Sequence, residues 1–414
     1  MELRMINVGF GDCFIILDDT NNVSFMIDFG SRGYRNSYFN SINKLAEHIK
    51  SIYIDTNRRN YALITHFHLD HYSGFNYLSK HYSDIFDAVY IPYLNIEDKN
   101  SGKIVLLELA IYYYLFLNKT SYTWRVSKNI LKQIKIITTL AKNNNVICLS
   151  SWDKFSCSDR KFQVIWPDKE MNFKDTLIKH IIQLDNLTGD LDDFNELKSK
   201  ILHNMKKWYE YTSITNDKDS KIYREQIDEI IQSQELYLKK LDKLRDKYSG
   251  LLDKDDIYHS FKYYSTRLFS RSNNSASIVF HDKVNEKQLI RQKDEVAVTT
   301  ELNNLILMTG DIEASIVNEY LIDRFHSQKY HVLKAPHHGT QGHYTENLPE
   351  AQNILISTGP RRGYSKICEE YKFHIDTNGR RSCTSGNIYC DIISNLHTRC
   401  NKNNCQNDFY YIPI

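Results

Sequence analysis

Proline and glycine are scarce in this 414-residue chain, at 6 and 15 residues, which excludes collagen-like, proline-rich and glycine-rich linker architectures. Cysteine is thin as well: 8 residues without the spacing of a disulfide framework, so reduced thiols are expected. No charge sign dominates. With 53 Lys+Arg against 51 Asp+Glu the formal charge is +2, which excludes attachment to nucleic acid by bulk charge alone and leaves only local basic patches. Long apolar runs are missing too. The longest, Ile104 to Leu117, is interrupted by Glu108 and falls short of the roughly 20 residues that cross a bilayer. Met1-Glu2-Leu3-Arg4 enters strand-like sequence without the apolar core of a secretory signal, so a cytoplasmic location is expected.

What is present is a globular composition, 41% hydrophobic and 13% aromatic, enough for one large domain or one core with insertions. Short runs rich in β-branched and aromatic residues (Leu3 to Val8, Cys13 to Leu17, Ser24 to Ile27, Tyr61 to Ile64) are bounded by Gly, Asp or Asn and predict strands, with a helix over 41–51. From 96 to 145 the pattern turns helical. Its second helix is expected to open at Ser127 as N-cap and to bury Ile130, Leu131, Ile134, Ile137 and Leu140. Strands return at Val146 to Leu149 and Phe162 to Trp166, where Pro167 ends the run. The segment 170–265 is charged and helical, with Ile227, Ile231, Gln234, Leu238, Leu241 and Tyr248 on one face, the pattern of a strut packed on the core or of an arm that binds a protein partner. Strand alternation resumes at Ser277 to His281, Val296 to Thr299, Leu305 to Met308, His331 to Lys334 and Asn353 to Ser357.

The densest chemistry is Thr65-His66-Phe67-His68-Leu69-Asp70-His71, directly after a predicted strand. Three imidazoles and a carboxylate at a strand exit suit a metal site, with His66 and His68 on one ion and Asp70 and His71 on a second. Ordering so many ionisable groups without a partner would be unfavourable.

This His-x-His-x-Asp-His run resembles the motif of the metallo-β-lactamase fold superfamily, and other segments follow in the order that family uses. Phe25 to Gly30 looks like the strand ending in a supporting Asp, Leu307 to Asp311 like the segment carrying the metal-bridging Asp, and Val332 to Thr340 like the one carrying the last His ligand. Within the superfamily the chain resembles the hydrolase domain of the DNA-uptake competence protein ComEC and its free-standing relatives. That likeness rests on Val8-Gly9-Phe10-Gly11-Asp12, Asn273-Asn274-Ser275-Ala276-Ser277, the run ending at Glu313 and Pro336-His337-His338-Gly339. It covers about residues 1–95 and 266–395 and leaves both helical blocks outside it.

The resemblance implies an α+β fold, an αβ/βα metallo-β-lactamase sandwich with helical insertions. Its parts would be a first half-core at 1–95, a helical insertion at 96–145, core strands at 146–169, a charged helical insertion at 170–265 and a second half-core at 266–414. It implies two divalent metal ions, zinc or manganese, held by His66, His68, Asp70, His71, Asp311 and His337 or His338. Asp70 and Asp311 would be catalytic, with Asp28 supporting the ligands. The implied activity is hydrolysis, most directly of a phosphodiester in DNA or another nucleic acid; a small ester, lactone or signal nucleotide, and a subunit regulated by a protein partner, are the alternatives.

Two departures stand out. The separate His between the His-rich motif and the bridging Asp is not identifiable among His180, His203, His259 and His281, which leaves the His66/His68 position open to water or substrate. A His-containing segment after the last strand is replaced by Gly359-Pro360-Arg361-Arg362-Gly363-Tyr364. Arg361 and Arg362 are candidate phosphate contacts, as are Arg380 and Arg381. Gly9-Phe10-Gly11-Asp12 is expected to form a tight hairpin beside the site, and Lys198, Lys200, Lys206, Lys207 and the 239–247 helix to line a groove for a nucleic-acid backbone. Cys383, Cys390, Cys400 and Cys405 with His397 are spaced too irregularly for a structural zinc site.

Overall fold

Apolar residues on the N-terminal strands alternate between two cores. On β2 (Phe14–Asp18) and β3 (Val23–Ile27), Phe14, Ile16, Phe25 and Ile27 face a second sheet, while Ile15, Leu17 and Met26 face helices. A computed structural model shows the arrangement that this two-sided pattern demands. It describes residues 1–32, 42–54, 57–213, 221–248, 267–283, 305–357, 368, 370–371, 375–383 and 409–414.

Two seven-stranded sheets pack face to face. The first has the order β16-β1-β2-β3-β4-β5-β7, with β1 at Glu2–Ile6, β4 at Arg59–Leu63, β5 at Ala88–Pro92, β7 at Val146–Leu149 and β16 at Phe409–Pro413. The second has the order β15-β14-β13-β12-β11-β9-β8, with β8 at Lys154–Cys157, β9 at Arg160–Trp166, β11 at Val279–Asp282, β12 at Ile306–Met308, β13 at Lys329–Lys334, β14 at Glu350–Ile356 and β15 at Ile375–Cys383. A two-residue pair, β6 (Glu97–Asp98) with β10 (Glu170–Met171), links the segments outside the sheets. The fold is mixed α+β, a helix-flanked β-sandwich. In β3-β4-β5-β7 and in β12-β13-β14-β15 the strands run parallel, so their carboxyl ends gather the loops that follow them at one edge, where open parallel sheets bind ligands.

The helices are α1 (Ile42–Tyr53), α2 (Leu69–His81), α3 (Val105–Phe116), α4 (Tyr122–Leu140), α5 (Asp175–Leu187), α6 (Asp192–Tyr211), α7 (Lys221–Tyr248) and α8 (residues 267–275). Every residue of α3 is buried, because α4, α5, α6 and α7 all pack on it. This explains an apolar run with no polar face. The two helical blocks therefore meet in one layer, and α4 also packs on α2, the helix that follows the His-rich motif.

Two expectations on helices change. α4 opens six residues earlier than expected: Ser121 is the N-cap, its Oγ accepting from Trp124 N at 3.1 Å, whereas Ser127 is buried inside the helix. Trp124 and Val126 extend the apolar face upstream, so the hydrophobic pattern wins over the second capping residue. On α7 it is Ile230, not Ile231, that is fully buried beside Ile227, Gln234, Leu238 and Leu241. The predicted strand Val296 to Thr299 lies outside the described residues. Among the described residues, no helix is long and apolar enough to cross a membrane.

Candidate metal centre

The centre is built from loop residues at the strand ends, and its first anchor is Asp28. This residue follows β3 with φ 55°, a left-handed conformation that Asp tolerates better than most residues. Its carboxylate accepts from Thr65 N (2.7 Å), Thr65 Oγ1 (2.6 Å) and His71 Nδ1 (2.8 Å). These contacts settle two tautomers. His71 donates from Nδ1 to Asp28, so its neutral ring carries the lone pair on Nε2. The single hydroxyl proton of Thr65 also goes to Asp28, so Thr65 accepts from His66 Nδ1 at 3.1 Å and His66 too presents a bare Nε2.

Two glycines allow the neighbouring loops to close on this anchor. A Cβ on Gly30 would lie 2.4 Å from His71 N, and one on Gly11 would lie 2.2 Å from Gly30 O. The β1–β2 loop therefore lies against the His-rich loop, with Asp12 N donating to Asp70 O at 2.9 Å and Gly30 N donating to Asp12 O at 3.1 Å. Asp12 enters the centre by this route.

The later loops supply the opposite wall. Asp311 follows β12 and Gly310, and its backbone N–H donates to Ser277 Oγ at 3.2 Å. Lys334, at the end of β13, is fully buried and spans Asp12 Oδ2 (2.8 Å), Asp311 Oδ1 (3.1 Å) and Gly310 O (2.5 Å). His337 and His338 both have positive φ, 43° and 58°, and their rings diverge by 65°. Strain of this kind concentrates at functional sites. His338 Nδ1 faces Asp12 Oδ1 at 3.1 Å. His343 Nδ1 donates to Ile312 O at 3.0 Å, so its Nε2 accepts from His337 Nδ1 at 2.5 Å. Each histidine of the pair is thus turned with Nε2 inward.

Asp311 Oδ2 is the hub. His71 Nε2 lies 3.1 Å from it, His338 Nε2 3.5 Å, and His66 Nε2 and His337 Nε2 3.9 Å each. Asp70 Oδ2 is 3.6 Å from His338 Nε2 and 3.9 Å from Arg32 Nη1. Among the described residues, the tightest set of ligand atoms comes from Asp12, His71, Asp311 and His338, all within 4.8 Å of one another.

The electrostatics ask for a cation. Burial opposes charge on His71 and His338, yet the carboxylates of Asp311 and Asp12 outweigh it, lifting His71 well above the ordinary range and His338 to about 9. Burial, reinforced by neighbouring imidazoles, holds His66 well below its usual value, and burial brings His68 down to about 4. Burial alone would raise the carboxyl of Asp70, but His338, His71 and Arg32 lower it. Buried atoms here without a hydrogen-bond partner include His66 Nε2, His71 Nε2, His338 Nε2, Asp70 Oδ1 and Asp311 Oδ2. Such atoms cost about 1–3 kcal/mol each when left unpaired. Imidazole nitrogens and carboxylate oxygens converging in this way fit divalent metal ions, zinc or manganese included.

Of the residues singled out in the sequence, His66, Asp70, His71, Asp311, His337 and His338 meet around the hub, with Asp28 behind His71. His68 stands slightly apart: its ring is 4.7 Å from that of His66, and its Nε2 is 3.3 Å from Ser270 Oγ. Arg361 and Arg362 lie outside the described residues. His281 is not one of the clustered ligand residues: its Nδ1 is 2.8 Å from Tyr330 Oη, and its ring lies 4.0 Å from that of His326 at a tilt of 47°. The loop of the antiparallel β1–β2 hairpin does lie beside the site, and Asp12 within it is in addition a member of the cluster, brought there by the loop approach that Gly11 and Gly30 permit. Lys334 and His343 were also not foreseen. A lysine closing the apolar run Val332-Leu333 was the available signal for the first; the second carried none.

A sequence profile described as the Metallo-beta-lactamase superfamily matches residues 6–86, the stretch containing Asp12, Asp28 and His66 to His71. No curated protein matches the chain. The profile match and the buried Asp/His cluster together support a metal-dependent hydrolase. Residues 6–86 are thus similar to the metallo-beta-lactamase superfamily, and they sit in a two-sheet, helix-flanked architecture consistent with that superfamily's fold.

Proposed function

We propose that this protein is a metal-dependent phosphodiesterase of the ComEC-like kind, with nucleic acid as its first substrate class. The observation that carries the reading is the ring of four imidazole Nε2 atoms around Asp311 Oδ2. Asp70, His71 and His338 would hold one ion and His66, His68 and His337 another, with Asp311 between them. The metals would supply Lewis acidity that makes water a competent nucleophile near neutral pH.

The chain's own residues do the rest. Asp28 and Asp12 fix the rings of His71 and His338, so the donor atoms are set before substrate arrives. Asp70 Oδ1, buried and unpaired, is placed to accept a hydrogen bond from the attacking water and to orient it. Hydrolysis then forms one P–O bond from water as the bond to the leaving oxygen breaks, and the leaving oxygen gains a proton.

One observation favours a second reading, a short phosphodiester such as a signal nucleotide. Four of the lysines expected to track a long strand carry ion pairs: Lys198 with Asp185, Lys200 with Glu196, Lys206 with Glu97 and Lys247 with Asp193. Paired lysines release few counterions on binding. A side-by-side assay on linear duplex DNA, single-stranded DNA, RNA and cyclic dinucleotides, at two salt concentrations and with zinc or manganese restored, tests both readings. Turnover of polymers that falls with salt supports the nuclease; turnover confined to small nucleotides supports the second reading. No phosphodiester turnover with either metal overturns both.

A further inference from the structure

The helical layer delivers a side chain to the metal centre that the hydrolytic reading leaves unused. Tyr122, the first residue of α4, sets its ring 5.7 Å from that of His68. Its hydroxyl is buried and has no hydrogen-bond partner. A buried phenol hydroxyl without a partner is a donor in want of an acceptor.

Arg32 lies across the same ring. Its guanidinium carbon is 3.8 Å from the Tyr122 centroid, a stacked arrangement that holds the planar fork in one orientation. Its Nη1 is 3.9 Å from Asp70 Oδ2, too long for a hydrogen bond, so the guanidinium donors remain unspent on that carboxylate. The side chain is one-third exposed, at 34%, so a ligand arriving from solvent can reach it. Arg32 is fixed at its backbone by donation from its N–H to Phe10 O at 2.7 Å, within the loop that also carries Asp12. Two donors from distant segments, one cationic and one neutral, thus flank the Asp70 side of the centre with no acceptor of their own.

We infer that Arg32 and Tyr122 form a two-donor clamp for a non-bridging oxygen of an anionic phosphoryl group, and that α4 thereby sets the substrate class of the site. The inference rests on the phosphodiesterase reading for its choice of anion. Phosphoryl oxygens accept bidentate and charge-assisted hydrogen bonds well, and a neutral ester offers no comparable anionic oxygen in its ground state. The clamp binds substrate; it does not carry out a bond-breaking step.

The test uses the full chain loaded with metal, with inorganic phosphate, bis(p-nitrophenyl) phosphate and p-nitrophenyl acetate as probes. Calorimetry with phosphate is the primary readout. Arg32→Ala is expected to weaken phosphate binding and raise KM for the diester about 10- to 100-fold, Arg32→Lys to recover part of the loss, and Tyr122→Phe to weaken both about 3- to 10-fold. The neutral ester should respond no more than about twofold, a discrimination that a merely structural role would not produce. Metal content and unfolding midpoint, measured on each variant, separate lost binding from lost folding; if Arg32→Ala sheds metal, Tyr122→Phe decides. Unchanged phosphate affinity in Tyr122→Phe and in a folded, metal-loaded Arg32 variant overturns the clamp, as does a wild-type protein that binds no phosphate. Phosphate binding that depends on both residues, in a protein that cleaves no phosphodiester, supports the clamp while overturning the phosphodiesterase reading.

Discussion

Asp12 faces two buried partners at once, with Oδ1 3.1 Å from His338 Nδ1 and Oδ2 2.8 Å from Lys334 Nζ. It does for His338 what Asp28 does for His71, and it also neutralises a lysine that is only 1% exposed. Removing it should therefore act on metal and fold separately. Asp12→Ala is expected to lower metal affinity about 10- to 100-fold. It should also destabilise the protein by about 3 kcal/mol, because Lys334 loses one of its two carboxylates. The double variant Asp12→Ala/Lys334→Met should regain stability without regaining metal. Metal titration and urea unfolding check the two effects; equal recovery of both would contradict the division of roles.

The adjacent histidines make a second prediction. His338 belongs to the tightest ligand group, whereas His337 is 25% exposed and is steered by His343. His338→Ala is expected to remove most bound metal, and His337→Ala to lose about one equivalent while the other stays. Metal-to-protein ratios by elemental analysis after dialysis decide this. Full retention of metal in His337→Ala would confine ligation to His338.

Acid stability should report on the helical layer. Asp185 of α5 accepts from Tyr112 of α3 (2.5 Å), Lys198 of α6 (2.5 Å) and Lys103 (2.8 Å). Burial raises its carboxyl, but these bonds prevail and bring it to about 2. A depressed carboxylate stabilises the fold above its unfolded value near 3.8 and loses that contribution as pH falls toward about 2. Asp185→Asn is expected to lose about 1–2 kcal/mol at pH 7, with the gap to wild type closing below about pH 4. Denaturant unfolding at several pH values measures it, and a gap independent of pH would point to packing instead.

Helix capping gives a simple contrast. Ser121→Ala removes the bond from Trp124 N and should cost about 1 kcal/mol, while Ser127→Ala removes a buried hydroxyl with no partner and should be neutral or slightly stabilising. Thermal unfolding of the two variants checks where α4 begins.

The sequence by itself determined the alternation that builds β2, β3 and β9, the helical character of 105–140, and the ligand-rich run from His66 to His71, because these depend on local spacing and side-chain type. Through the family resemblance of Phe25 to Gly30, Leu307 to Asp311 and Val332 to Thr340, it also marked Asp28, Asp311 and the His337-His338 pair. Only the tertiary structure decided that Asp12 and Lys334 enter the centre, that His343 turns His337, and that Arg32 lies on Tyr122. Those relationships join residues far apart in the chain and depend on how closely backbones approach. The contact at Gly11 and Gly30, where no side chain fits, is invisible to hydrophobic periodicity. The charge of the lysines was legible in the sequence; the pairing of Lys198 with Asp185 and of Lys206 with Glu97 was not, since Asp185 and Glu97 lie on other segments brought alongside by packing.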